Sequence, residues 1–352
     1  MHNVTFGTFT WSANSQTELS PEDRAWIAEN LLRGGEPAAM AQRLIRDGRP
    51  GELVRREIAT ALAHPYLNGA MRARELWTRR VAKANWTLDA LAKLDSQNQA
   101  AKLIPTVERI STADFYNAYY LENRPVIITG RLDDWPAMTK WSLDYFVDQW
   151  GEAIVEVQAG REGGRDFETD AGRYTRHMRF AEFVATIRAA HTNDYYMTAR
   201  NSDGNRAGLA ELWDDIGDLP DYLAPTQPRS GFFWLGPAGT ITPTHHDLTN
   251  NFMAQVIGRK RIMLANAVYQ PRMYNYFHVF SRVDLSTVDR TRFPDMAAVN
   301  VLECVLEPGQ ILFLPVGWWH HVEGLDLSVT MTFTNFRLDN GFSSFYRASG
   351  EL

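Results

Sequence analysis

The chain has 352 residues, 45% of them hydrophobic and 11 of them tryptophan, which supports a sizeable packed core and excludes a largely disordered chain. Its formal charge of -6, from 36 basic and 42 acidic residues, gives no electrostatic reason to expect nucleic acid or a membrane surface as partner. The single cysteine, Cys304, excludes an internal disulfide framework and a cysteine-rich zinc module.

The opening stretch, MHNVTFGTFTWSANSQT, lacks the basic start and apolar run of a secretory leader. No segment approaches the roughly 18 uninterrupted apolar residues of a membrane span, so the expectation is a soluble, cytoplasmic protein. Ser20-Pro21-Glu22-Asp23 reads as an N-cap, a first-turn proline and first-turn acids. Trp26, Ile27, Leu31 and Leu32 then recur at helical spacing, and Gly34-Gly35 ends the run. Further helices are expected from Pro37 to Asp47, from about Glu52 to His64, and over Leu67 to Leu94. The polar stretch Ser96-Gln97-Asn98-Gln99 reads as a linker, which divides the chain into a helical unit, 1–100, and a second domain, 101–352.

After Leu103 short strand-like runs alternate with turn signals. They include Pro125 to Thr129, Ile154 to Gln158, Tyr195 to Thr198, Gly231 to Leu235 and Phe252 to Ile257. Arg261 to Leu264, Ile311 to Leu314 and Ser328 to Phe333 follow. Such a pattern predicts a jelly-roll or barrel, interrupted by helical inserts around Ser142 to Trp150, Phe180 to Ala190 and Ala207 to Ile216. Gly160 to Gly172, rich in charge and glycine, reads as a solvated loop rather than a functional lid.

The sharpest chemical signal is TPTHHD, residues 242–247. In a strand, His245 and Asp247 share a face while His246 points away. Imidazole plus carboxylate suits a divalent iron that keeps open positions. A third ligand is available in Gly317-Trp318-Trp319-His320-His321-Val322, where adjacent aromatics would wall a dry pocket. Periodicity alone does not choose between His320 and His321. Gly258-Arg259 reads as a hairpin between two apolar strands, and Lys260 shares a face with Ile262 and Leu264. A lysine so placed either snorkels out to solvent or pairs with an anion.

Long ordered segments carry a resemblance: RPVIITGRLDDWP (124–136), KWSLDYF (140–146), DYYMTARN (194–201), residues 232–261 and residues 306–336. Together they resemble the Jumonji-C branch of the cupins, in particular bacterial cupin-like proteins akin to the asparaginyl hydroxylase of the hypoxia response. The similarity covers about residues 104 to 338. It implies an α+β fold, a double-stranded β-helix (jelly-roll) core with helical inserts, behind an N-terminal helical unit that the similarity leaves out. It also implies Fe(II) held by His245, Asp247 and His320, and 2-oxoglutarate held by Lys260 with Tyr196, Thr242, Asn251 and Asn335. The departure is at the C-terminus, where only a short tail follows Asn335 in this sequence, so a counterpart of the helical dimerisation unit of the hypoxia-type enzyme is not expected.

The implied activity is a 2-oxoglutarate-dependent dioxygenase that hydroxylates a C–H bond of a peptide or protein side chain. A small-molecule hydroxylase and a non-enzymatic cupin-type binding protein are the alternatives. The filled positions Lys260, Thr242, Asn251 and Asn335 speak against a cupin working without 2-oxoglutarate. The lack of a zinc module and of a basic composition speaks against a histone-type demethylase. The helical unit holds no catalytic constellation and is expected to hold substrate, mediate a homodimer or cover the barrel.

Overall fold

A computed structural model describes residues 18–164, 166–225 and 231–346; the stretch read for a leader, residues 1–17, lies outside them. The helical unit comprises α1 (Pro21–Leu32), α2 (Pro37–Arg46), α3 (Gly51–Ala63) and α4 (Pro65–Gln97). Ser20 caps α1 by accepting the Asp23 N–H at 3.1 Å, and Ile27, Leu31, Met40, Leu44, Val54 and Ile58 bury their apolar stripes together. The chain divides into two compact units at Thr87/Leu88, inside α4 and ahead of the polar stretch at 96–99. No proline or glycine interrupts 70–97, so nothing local stops the helix where the packing changes. In the second unit Ala92 is buried among Tyr269, Met273 and Trp319. Asp95 there accepts from Asn266 Nδ2 and the Tyr269 hydroxyl, both at 2.9 Å.

Among the described residues the strands begin with β1 (Thr106–Glu108), β2 (Val126–Thr129), β3 (Ile154–Ala159), β4 (Thr175–Arg179) and β5 (Tyr195–Tyr196). Next come β6 (Phe232–Gly236), β7 (Ile241–His246), β8 (Asn251–Ile257), β9 (Lys260–Ala265), β10 (Asn275–Phe277) and β11 (Phe280–Ser281). The last are β12 (Val301–Leu306), β13 (Ile311–Leu314), β14 (Trp319–Gly324) and β15 (Ser328–Phe333). Two six-stranded sheets take the orders β1-β2-β13-β8-β15-β6 and β10-β11-β7-β14-β9-β12, and β4-β3-β5 form a third. The pairings within the two large sheets are antiparallel except β1 with β2. This is the α+β jelly-roll that the sequence implies. The segment expected to be helical at Ala207 to Ile216 is a 3-10 turn, Ala210–Asp215. No described helix is long and apolar enough to cross a membrane.

Two-residue alternation sorts the strand side chains into layers. On β8 and β13, Phe252, Ala254, Ile311 and Phe313 pack with Phe115, Phe146 and Phe183 of the helical segments. Their neighbours Met253, Leu312 and Leu314 meet Ile262 and Leu264 of β9. Each large apolar side chain buried this way contributes about 1.5–3 kcal/mol. On β15 the same rule sends Val329, Met331 and Phe333 to the helical layer and leaves Thr330 and Thr332, both buried, on the other face.

Gly258 and Arg259 are not a hairpin. β8 pairs with β13 and β15, whereas β9 pairs with β12 and β14, so the link carries the chain from one sheet to the other. Gly258 takes φ +65°, and a Cβ there would strike the Leu327 carbonyl, which makes glycine obligatory at this corner. The KWSLDYF segment has a structural explanation as well. Lys140 Nζ, Trp141 Nε1 and the Tyr145 hydroxyl donate to buried Asp215 at 2.7, 3.1 and 2.8 Å. Burial raises the Asp215 carboxyl, but these three donors outweigh it and hold it below the usual carboxylate range. Asp215→Ala is expected to cost on the order of 2–3 kcal/mol, because ring-borne donors lose their acceptor. Urea denaturation reads this as a lower midpoint at unchanged slope; a wild-type midpoint refutes it.

Candidate metal centre

β7 and β14 are antiparallel neighbours whose register sets His320 opposite His245. Asp247 follows two residues after His245, on the same face. The ligand atoms of His245, Asp247 and His320 all lie within 4.8 Å of one another. His245 Nε2 stands 3.6 Å from Asp247 Oδ1, and the two imidazole centroids are 4.1 Å apart. With Nδ1 as donor, His245 bonds the Pro243 carbonyl at 2.8 Å and His320 the Trp318 carbonyl at 3.0 Å. Both Nε2 atoms are thereby left for a metal. Burial, reinforced by His320, pushes His245 down to about 4, and burial lowers His320 too. Both rings are held neutral, the form that ligates.

The neighbouring histidines face elsewhere. His246 packs on Trp319, ring centroids 4.7 Å apart. His321 lies with Nδ1 3.6 Å from Asp284 and Nε2 3.7 Å from Glu323. Asn251 Nδ2 donates to Asp247 Oδ2 at 3.2 Å, which steadies the carboxylate while Oδ1 faces His245. Asn251→Ala is expected to weaken metal affinity by about 10- to 100-fold, the usual cost of losing a bond that orients a ligand. Titration against a competing chelator measures it, and an unchanged dissociation constant would leave Asn251 as cavity wall only.

A cavity of about 490 Å³ surrounds the cluster, and Tyr196, Thr242, Asn251 and Lys260 line it. Lys260 is 2% exposed. Its Nζ donates to the Tyr196 hydroxyl at 3.0 Å and stands 5.6 and 5.8 Å from the ring centroids of Tyr196 and Trp234. Among the described residues it forms no ion pair with a carboxylate. Its neighbours Arg259 and Arg261 instead pair outside with Asp326, Glu303 and Glu323.

Asn335 is not brought to this cavity. Its Nδ2 donates to the Ala224 carbonyl at 3.0 Å, and the Ala224 N–H donates back to its carbonyl at 2.8 Å. Alternation explains the difference, since Thr330, Thr332 and Thr334 line the cavity and position 335 falls on the other parity. That threonine row was legible in SVTMTFT, residues 328–334. Trp234, which donates to Thr332 Oγ1 at 3.0 Å, carried no such signal. The reading of Gly160 to Gly172 as a solvated loop also needs correction. Arg161 is 0% exposed and Phe167 7%, because the guanidinium packs on the Phe167 ring. Glu168, from the same stretch, lines the metal cavity.

Comparison with known proteins agrees with this architecture. A model of the cupin-like domain matches residues 112–337. Over 258 residues, 71% of this chain and 58% of the relative, the chain is 33% identical to the lysine-specific demethylase JMJ30 of Arabidopsis thaliana. It is 26% identical to the chicken (Gallus gallus) tRNA wybutosine-synthesizing protein 5, over 68% of this chain and 78% of that one. It is 28% identical to the human (Homo sapiens) bifunctional peptidase and (3S)-lysyl hydroxylase JMJD7, over 59% of this chain and 76% of that one. The chain spans little more than half the length of the Arabidopsis relative. With a matched domain model over 112–337 and a His-Asp-His cluster inside a jelly-roll, the chain belongs to the cupin-like domain family, in its Jumonji-C branch.

Proposed function

We propose that the protein is an Fe(II)- and 2-oxoglutarate-dependent dioxygenase that hydroxylates a peptide or protein side chain. One observation carries this reading. A single cavity holds a two-histidine, one-carboxylate set and a buried lysine that has no carboxylate partner among the described residues. The first fits iron that must keep open positions. The second fits a dicarboxylate whose far end supplies the missing anion. When bound, iron and 2-oxoglutarate would let molecular oxygen, the oxidant, hydroxylate a C–H bond, with 2-oxoglutarate giving up two electrons as it becomes succinate and carbon dioxide. The chain's own part is positional: His245, Asp247 and His320 hold the metal, Asn251 steadies Asp247, and Lys260, Tyr196 and Thr242 receive the cosubstrate. Met253, Val322 and Phe280 form apolar wall that keeps water out.

The protein-substrate reading is supported by the lysine-specific demethylase and lysyl hydroxylase among the relatives. The tRNA-modifying relative points to nucleic acid, but a net charge of -6 disfavours a polyanion. Incubating the purified chain with Fe(II), 2-oxoglutarate, oxygen and peptide libraries is expected to add one oxygen atom to a peptide. Loss of a methylene unit would mean demethylation instead. Failure to release succinate under any of these conditions would remove the oxygenase assignment.

The helical unit fits substrate recruitment, since a remote contact raises the effective concentration of a long substrate at the iron. A chain starting at Leu88 is expected to release succinate without substrate yet lose hydroxylation. Leu88 is the start to use, because a start at Leu103 would remove Ala92 and Asp95 from the second unit's packing. Full hydroxylation by a soluble chain of this kind would refute recruitment.

A further inference from the structure

Arg161 is wholly buried, at 0% exposure, although a guanidinium keeps its charge in nearly all protein settings. Its Nη2 donates to the Ile241 carbonyl at 2.6 Å and lies 3.4 Å from Glu168 Oε1. Nε and Nη1, also buried, have no hydrogen-bond partner among the described residues. One carbonyl and one carboxylate at the edge of hydrogen-bond range compensate such burial poorly. What the guanidinium does have is two aromatic faces. Its Cζ is 4.2 Å from the Phe167 ring centroid and 5.0 Å from that of Tyr196.

Tyr196 connects this group to the cavity. It is 2% exposed, and its phenol oxygen accepts from Lys260 Nζ. Because the lysine donates to that oxygen, the phenol's own proton remains for an acceptor in the cavity that both residues line. Tyr196 and Lys260 then present O–H and N–H donors side by side, the arrangement one carboxylate end requires. A cation over the ring face draws on its π-electrons, which strengthens the phenol as a donor, and the planar stack fixes the ring. Arg161 itself is absent from the cavity wall. Its bond to Ile241 also ties down the start of β7, one residue before Thr242.

We propose that Arg161 is a positioning residue for the distal carboxylate of the cosubstrate, acting through Tyr196. This rests on the 2-oxoglutarate reading above. The planar guanidinium is the working feature, so lysine does not substitute for it.

Anaerobic calorimetry on the Fe(II)-loaded full chain, with 2-oxoglutarate and with oxalate, tests this. Oxalate chelates a metal but has no distal carboxylate for Tyr196 and Lys260 to hold. Arg161→Lys is expected to weaken 2-oxoglutarate binding about tenfold, the scale of one charge-assisted hydrogen bond disturbed, with iron and oxalate affinities unchanged. In a Tyr196→Phe background, Arg161→Lys should have no further effect on 2-oxoglutarate. Should Arg161→Lys not fold, Phe167→Leu removes one face of the stack and is expected to give a smaller loss confined to 2-oxoglutarate. Equal losses for both ligands, or additive losses with Tyr196→Phe, would overturn the proposal by showing a purely structural role. Wild-type protein that binds oxalate but not 2-oxoglutarate would overturn the cosubstrate reading itself, an outcome distinct from these.

Discussion

His320→Ala is expected to abolish iron binding and turnover, while His321→Ala binds iron like the wild type. The adjacent histidines occupy opposite faces of β14. His320 belongs to the cluster whose ligand atoms fall within 4.8 Å, whereas His321 sits between Asp284 and Glu323. A three-residue site that loses one ligand keeps too few donors to compete with water. The loss should therefore exceed the roughly 10- to 100-fold cost of removing a supporting bond. His245→Ala and Asp247→Ala belong to the same class. His321→Ala should show its cost in stability alone, since it removes a buried ring, 3% exposed, from beneath two carboxylates. Metal titration of the purified variants decides the matter, and the reverse pattern would overturn the ligand assignment.

Lys260→Ala is expected to weaken 2-oxoglutarate binding by about tenfold to a hundredfold, from about 1.5–3 kcal/mol for a hydrogen bond to a charged partner. Iron affinity should hardly change, because Lys260 contributes no ligand atom to the cluster. The effect is large because the amine is 2% exposed, where water neither screens it nor replaces it. Lys260→Arg should not rescue binding, since the guanidinium is too bulky for the space between Tyr196 and Trp234. Calorimetry in the absence of oxygen separates the two affinities, and an unchanged 2-oxoglutarate affinity would take Lys260 out of the site.

The sequence by itself determined what local rules govern. Ser20 and Pro21 announce the start of α1, and TPTHHD together with strand alternation puts His245 and Asp247 on one face. The same alternation makes the threonine row legible in SVTMTFT, although its place on the cavity wall appears only in the folded chain, and the long matched segments carry the family. Tertiary structure decided what depends on which strands become neighbours. The choice of His320 needs the β7–β14 register. The course of Gly258 needs the sheets to which β8 and β9 are committed. The placing of Asn335 away from the cavity follows from its tie to Ala224, 111 residues distant in sequence. Arg161 and Glu168 were the hardest to foresee, because a buried guanidinium beside a half-buried carboxylate inside a glycine- and charge-rich stretch has no periodic signature. Such a group is recognised only when the faces that bury it, here Phe167 and Tyr196, have been brought together from distant parts of the chain.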